Sequence, residues 1–109
     1  MRILAISKST SKATPEVLTR GMDDEVAKGK QFFEQGFIIE GYMDPTYTDA
    51  YMILESPSVE EARTTLASYP NTQAGLNTWD LFPLIGLPAI SQSLQDRHLS
   101  LPSWWPQQA

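Results

Sequence analysis

Residues 37–55 read FIIEGYMDPTYTDAYMILE, and the fold turns on this stretch. Two runs rich in β-branched and aromatic residues, FIIEGYM (37–43) and YMILE (51–55), flank the turn-forming segment Asp44-Pro45-Thr46-Tyr47-Thr48-Asp49, so the simplest reading is a β-hairpin. Both parities of the two runs are apolar: Phe37 and Ile39 alternate with Ile38 and Tyr42, and Met52 and Leu54 alternate with Tyr51 and Ile53. A sheet with one wet face alternates apolar with polar residues instead. The hairpin therefore predicts a sheet covered on both sides.

Upstream, MRILAISKS (1–9) reads as a first strand running into a polar loop. Thr14 as N-cap, Pro15 at the first helical position and Glu16 behind it open a helix, and Gly36 stops it. Within it Leu18, Met22, Val26, Gly29 and Phe33 recur at helical spacing, a stripe expected to face the sheet, with Gly29 marking close packing there. Downstream, Ser58 and Glu61 form a capping box, and Val59, Ala62, Leu66 and Tyr69 share one face of a second helix that Pro70 ends. A polar loop (71–77) leads to TWDLFPL (78–84), a last strand whose Pro83 suits an edge or an exit.

The order β-α-β-β-α-β specifies an α+β, ferredoxin-like subunit with a four-stranded antiparallel sheet. Right-handed crossovers put both helices on one face, so the other is bare. Covering its apolar side chains is worth roughly 1.5–3 kcal/mol each, and an apolar patch of that kind marks an interface. A homodimer stacked face to face, a dimeric α-β barrel, supplies the cover, and higher homo-oligomers can be built from it. The expected domain spans residues 1–86. A tail follows at 87–109, with Leu87, Ile90 and Leu94 able to form a short helix and Trp104-Trp105 bracketed by Pro102 and Pro106. Each tryptophan can bury on the order of 200 Å², so docking on this subunit or a neighbour is expected.

Composition narrows the chemistry. At 109 residues there is room for one core. The net charge of -5 and the lack of any basic cluster beyond a pair argue against nucleic acid and anionic membrane as partners. Cysteine is absent, which excludes disulfides, thiol catalysis, zinc-thiolate sites and iron-sulfur clusters. The apolar run at 3–6 is too short for a signal peptide or a membrane span, so the chain reads as cytoplasmic.

Several stretches between residues 24 and 84 carry a resemblance. They are the helix end Phe33-Glu34-Gln35-Gly36 and the strand after it, the junction Leu54-Glu55-Ser56-Pro57-Ser58-Val59-Glu60-Glu61-Ala62, and Trp79-Asp80-Leu81-Phe82-Pro83-Leu84. Together they resemble the muconolactone isomerase family of the dimeric α-β barrel group, which also holds small cofactor-free monooxygenases. The resemblance implies a small-molecule pocket between the open sheet face and the rest of the dimer, and proton transfer next to a lactone carbonyl without metal or organic cofactor. The chain departs from those isomerases at Glu40 and Tyr42, where they carry a histidine and a tryptophan. The polar loop at 7–13 and the Trp-rich tail have no counterpart.

Glu40 stands out as a candidate general base, an acid in the middle of an apolar strand where desolvation raises a carboxyl pKa. On simple alternation it shares a face with Ile38 and Tyr42. Tyr42 and Tyr51 are candidate donors to a developing enolate oxygen. Asp80, with Phe82 on the barrel side of the last strand, could pair with Glu40 as acid and base, or form a plain ion pair with Lys8 or Arg2. Ile38, Ile53, Phe82, Ser7 and Trp104 are the expected pocket walls. His98, the sole histidine, is a surface residue or a proton shuttle, and no metal site is expected. The reading is a cofactor-free isomerase or cyclase acting on a small, largely apolar carbonyl compound. Its alternatives are a cofactor-independent monooxygenase of the same fold and a non-catalytic ligand-binding or assembly module whose Trp-rich tail plugs a groove.

Overall fold

The computed structural model describes residues 1–87 and residue 103. Strand β1 (Arg2–Ser9) leads to α1 (Pro15–Glu34), the hairpin β2 (Ile38–Met43) and β3 (Asp49–Glu55), α2 (Val59–Leu66), the single turn α3 (Pro70–Gln73) and β4 (Asn77–Leu84). The strands form one four-stranded sheet in the order β2-β3-β1-β4, with every neighbouring pair antiparallel. This is the α+β, ferredoxin-like arrangement that the hairpin and its flanking helices predict.

Local chemistry sets the element ends. Thr14 Oγ1 accepts from the Val17 amide at 3.3 Å, and Pro15 occupies the first turn of α1, where a missing amide proton costs nothing. At the far end Gly36 takes φ 78°, which lets the Phe37 amide donate to Phe32 O at 3.0 Å and closes the helix in a left-handed cap. Between β2 and β3 the Asp44 carboxylate accepts from the Thr48 and Asp49 amides at 2.9 and 2.8 Å. Its hydrogen bond from Thr46, reinforced by those amides, holds the carboxyl well below the usual range, and Tyr47 sits at φ 61°.

Four expectations need correction. The Leu18, Met22, Val26 and Phe33 stripe does not face the sheet: Met22, Val26 and Phe33 are 50%, 48% and 61% exposed. Phe32 is the buried residue of α1, packing edge-on against Phe37 and Tyr69 at centroid distances of 5.2 and 5.1 Å. Gly29 does mark a close approach, but to Tyr69, whose hydroxyl would lie 3.3 Å from an added Cβ, rather than to a strand. The second helix stops at Leu66, and Pro70 starts the turn α3 instead of ending α2, because its fixed φ suits a first helical position. Finally, a β-bulge at Ile39 shifts the β2 register, so that Ile38 pairs with Leu54 while Glu40 pairs with Ile53.

The core lies between the helices and one sheet face, where Ile3, Ala5, Ile38, Met52 and Leu54 meet Phe32, Ala62, Leu66 and Tyr69. Trp79 stacks on Tyr69 at 6.0 Å and donates from Nε1 to Thr72 Oγ1 at 2.9 Å. Thr72 donates in turn to Asn77 Oδ1 at 2.8 Å, and Asn77 Nδ2 to Ser7 Oγ at 2.7 Å. This chain of donors satisfies the polar groups where α3 meets the sheet. The expectations for Ile90, Leu94, His98, Trp104 and Trp105 lie outside the described residues.

Candidate functional site on the open sheet face

Alternation along the strands sorts the side chains between two faces. With Ile3, Ala5, Met52 and Leu54 against the helices, the register places Leu4, Ile6, Tyr51 and Ile53 on the other face, together with Glu40 and Tyr42 from β2 and Asp80 and Phe82 from β4. Two rows cross it: Glu40, Ile53, Leu4 and Phe82, then Tyr42, Tyr51, Ile6 and Asp80. The centre is aliphatic and aromatic. Charge collects at the ends of the strands, with Lys8 and Asp80 toward one end and Arg2 and Glu55 at the other.

The bulge carries a consequence for the site. Without it Ile38, Glu40 and Tyr42 would share the open face; with it Ile38 drops into the core at 7% exposure, and only Glu40 and Tyr42 remain. Ile38 is therefore not a wall of a pocket on this face. Neither is Ser7, which is buried on the helix side beside Asn77. Ile53 and Phe82 lie on the open face as expected. Trp104 lies outside the described residues.

Glu40 and Tyr42 form a unit. Tyr42 Oη donates to Glu40 Oε2 at 2.8 Å, and this hydrogen bond, with the negative charge behind it, pushes the Tyr42 phenol up from its ordinary value. The phenol stays protonated and holds one carboxylate oxygen, and among the described residues the other oxygen has no hydrogen-bond partner. In the single subunit Glu40 is exposed rather than embedded, so any desolvation must come from whatever covers the face. Tyr51 stands directly across from Tyr42 on the neighbouring strand.

Asp80 does not join this unit within one subunit. It lies on β4, the opposite edge strand, three strand spacings of about 4.8 Å from β2, and Lys8 Nζ lies 3.9 Å from its Oδ2. At the far end of the sheet, Glu55 binds the amino terminus at 2.6 Å and Arg2 Nε at 3.4 Å. The amino-terminal contact is the main cause of its lowered pKa. Among the described residues, no three His, Cys, Asp or Glu side chains converge as a metal site requires. Among the same residues, no helix is long and apolar enough to cross a membrane. Sequence reasoning missed Leu4 and Ile6. They sit at the centre of the open face, and the alternation of RILAISK was the signal that could have found them.

No family model and no curated relative matches the chain. Among solved structures it is similar to 5-chloro-2-hydroxyhydroquinone dehydrochlorinase (TftG) from Burkholderia phenoliruptrix AC1100, in complex with 2,5-dihydroxybenzoquinone. The TM-score is 0.59 at 20% identity, over 82% of this chain and 98% of that one. At this identity the likeness establishes the shared fold alone.

Proposed function

We propose that two copies of this chain stack their open sheet faces and enclose a pocket in which a small, largely apolar carbonyl compound is isomerised or cyclised by proton transfer, without metal or organic cofactor. The observation that carries this reading is the Tyr42–Glu40 hydrogen bond beside the apolar centre of the open face. The muconolactone isomerase-like patterns of the sequence support the reaction type. That a protein of the same fold holds a dihydroxybenzoquinone, a small cyclic carbonyl compound, supports the substrate class.

In this mechanism the free carboxylate oxygen of Glu40 takes a proton from the carbon next to the carbonyl. The C–H electron pair becomes the enolate double bond, and the carbonyl electrons move onto oxygen. Tyr42 fixes the carboxylate, and Tyr51 donates to the enolate oxygen. Where a C=C is conjugated with the enolate, its electrons shift outward as the carbonyl re-forms, the far carbon takes the proton held by Glu40, and the double bond ends one position along, so atoms and charge balance. Asp80, three strands from Glu40 in its own subunit, can serve as a second acid only from the facing copy.

The test is deuterium incorporation from D2O into small enol-lactones and hydroxyquinones, followed by NMR. Wild-type chain should catalyse exchange, and Glu40→Gln should abolish it while the dimer persists. Equal exchange by both would remove Glu40 from the mechanism. Oxygen consumption with a hydroquinone and no isomerisation would replace this reading with the monooxygenase.

A further inference from the structure

We infer that the outer stripe of α1 is the docking site of this chain's own C-terminal segment, with Trp104 and Trp105 as the anchors. The inference is independent of the proposed reaction, because α1 and the open face lie on opposite sides of the sheet.

The stripe is an unexplained apolar surface. Met22, Val26 and Phe33 fall within one arc of α1 and are 50%, 48% and 61% exposed, and among the described residues nothing covers them. From Met22 to Phe33 the stripe runs about 17 Å along the helix. A solvent-facing helical surface normally carries charge here, as Asp23, Asp24 and Lys30 do elsewhere on α1.

The occupant follows from where the chain leaves the fold. Strand β4 ends at Leu84, opposite Arg2, and the Ser56 amide donates to Met1 O while the Glu55 amide donates to Phe37 O. The exit of β4 and the C-terminal, Phe33 end of α1 are thus at the same end of the sheet. The chain after Leu87 contains Ile90, Leu94, Leu99, Leu101, Trp104 and Trp105, and its charges, Asp96 and Arg97, cancel. Seventeen residues from Leu87 to Trp104 can span up to roughly 56 Å when extended. Crossing from β4 to β2 takes about 14 Å. Reach along the whole stripe is available with slack, and a tether of this length gives an effective concentration in the millimolar range. Two tryptophans on Phe33, Val26 and Met22 cover apolar surface on both sides at once, with aromatic and S–aromatic contacts available.

The test exploits the absence of cysteine, which lets a single engineered thiol carry bimane, a fluorophore quenched on contact with tryptophan. Label at Val26→Cys should lose emission, whereas label at Asp24→Cys, about 200° around the same helix, should not. Replacing Trp104 and Trp105 by leucine should restore emission at position 26, and so should Phe33→Asp, a change at an exposed site that the fold tolerates. Trp79 is present in every variant and cancels. Emission unchanged by the tryptophan replacements would overturn the inference. Recovery on mixing the labelled chain with excess unlabelled Trp104→Leu/Trp105→Leu chain would overturn it too, since the tail would then come from a second copy; quenching that survives mixing supports it.

Discussion

The two faces of one sheet are built from nearly the same residue types and have opposite fates. On one, Ile3, Ala5 and Leu54 are fully buried under α1 and α2; on the other, their strand neighbours Leu4, Ile6 and Ile53 are only half-buried, and Tyr51 and Phe82 are exposed. Composition alone does not separate them. The difference is that the two right-handed crossovers deliver both helices to one side. An apolar face that no described residue covers is of the kind that marks an interface, and here it carries a carboxylate held by a phenol at one margin. The comparison teaches that the packing that stabilises this subunit lies on the helix side, and that the proposed chemistry draws on the other.

Mutations can sharpen that division, and the largest effect belongs to the covered face. Leu54→Ala should cost about 2–5 kcal/mol in urea unfolding, because a fully buried side chain leaves a cavity among Ile3, Phe32 and Leu66. Ile53→Ala, one residue along the strand, should cost far less when the subunits are dissociated, and its effect should appear in the association constant instead. Equal losses at both positions in the dissociated subunit would break the contrast. Ser58→Ala should cost about 1 kcal/mol by removing the 3.0 Å cap on the Glu61 amide, with no effect on association.

The smallest effect concerns Glu25, half-buried where α1 meets α3 and accepting from the Asn71 amide at 3.0 Å. Burial raises its pKa above the ordinary 4.5. The unfolded chain therefore gives up this proton at lower pH than the folded one. The folded state is favoured while Glu25 stays protonated and loses ground as pH rises from about 4.5 through the raised value. Glu25→Gln, which keeps an acceptor for Asn71, should flatten the fall in stability over that window in thermal melts taken from pH 4 to pH 7. A steeper fall in the variant would contradict the assignment.

The same contrast explains what the sequence revealed. Element order, the Thr14 and Ser58 caps, the Gly36 stop and the doubly apolar hairpin were legible because each rests on local chemistry: a capping oxygen, a glycine at positive φ, a period of two. The errors arose where a single residue changes the phase. The bulge at Ile39 moved Ile38 into the core and separated it from Glu40, and no composition signal marks such an insertion. In α1 the apolar period points to Met22, Val26 and Phe33 as the packed face, and the structure leaves them exposed. The packed face runs through Gly21, Glu25, Gly29 and Phe32, because the two glycines let Asn71 of α3 and the Tyr69 hydroxyl come close. Pro70 suits a helix stop as well as a helix start by its fixed φ, and it starts α3 because Tyr69 ahead of it is extended and buried. Of the candidate site, Glu40, Tyr42, Tyr51, Ile53, Phe82 and Asp80 reach the open face, but the separation of Glu40 from Asp80 follows from strand order, which spacing along the chain does not encode.

Sedimentation equilibrium over a dilution series tests the central claim most directly. The wild-type chain should sediment as a dimer or a multiple of it, and Ile6→Asp, a charge placed at the centre of the open face, should give a monomer with unchanged far-UV circular dichroism. A wild-type chain that is monomeric at every concentration, or an Ile6→Asp variant that still self-associates as tightly, would contradict it.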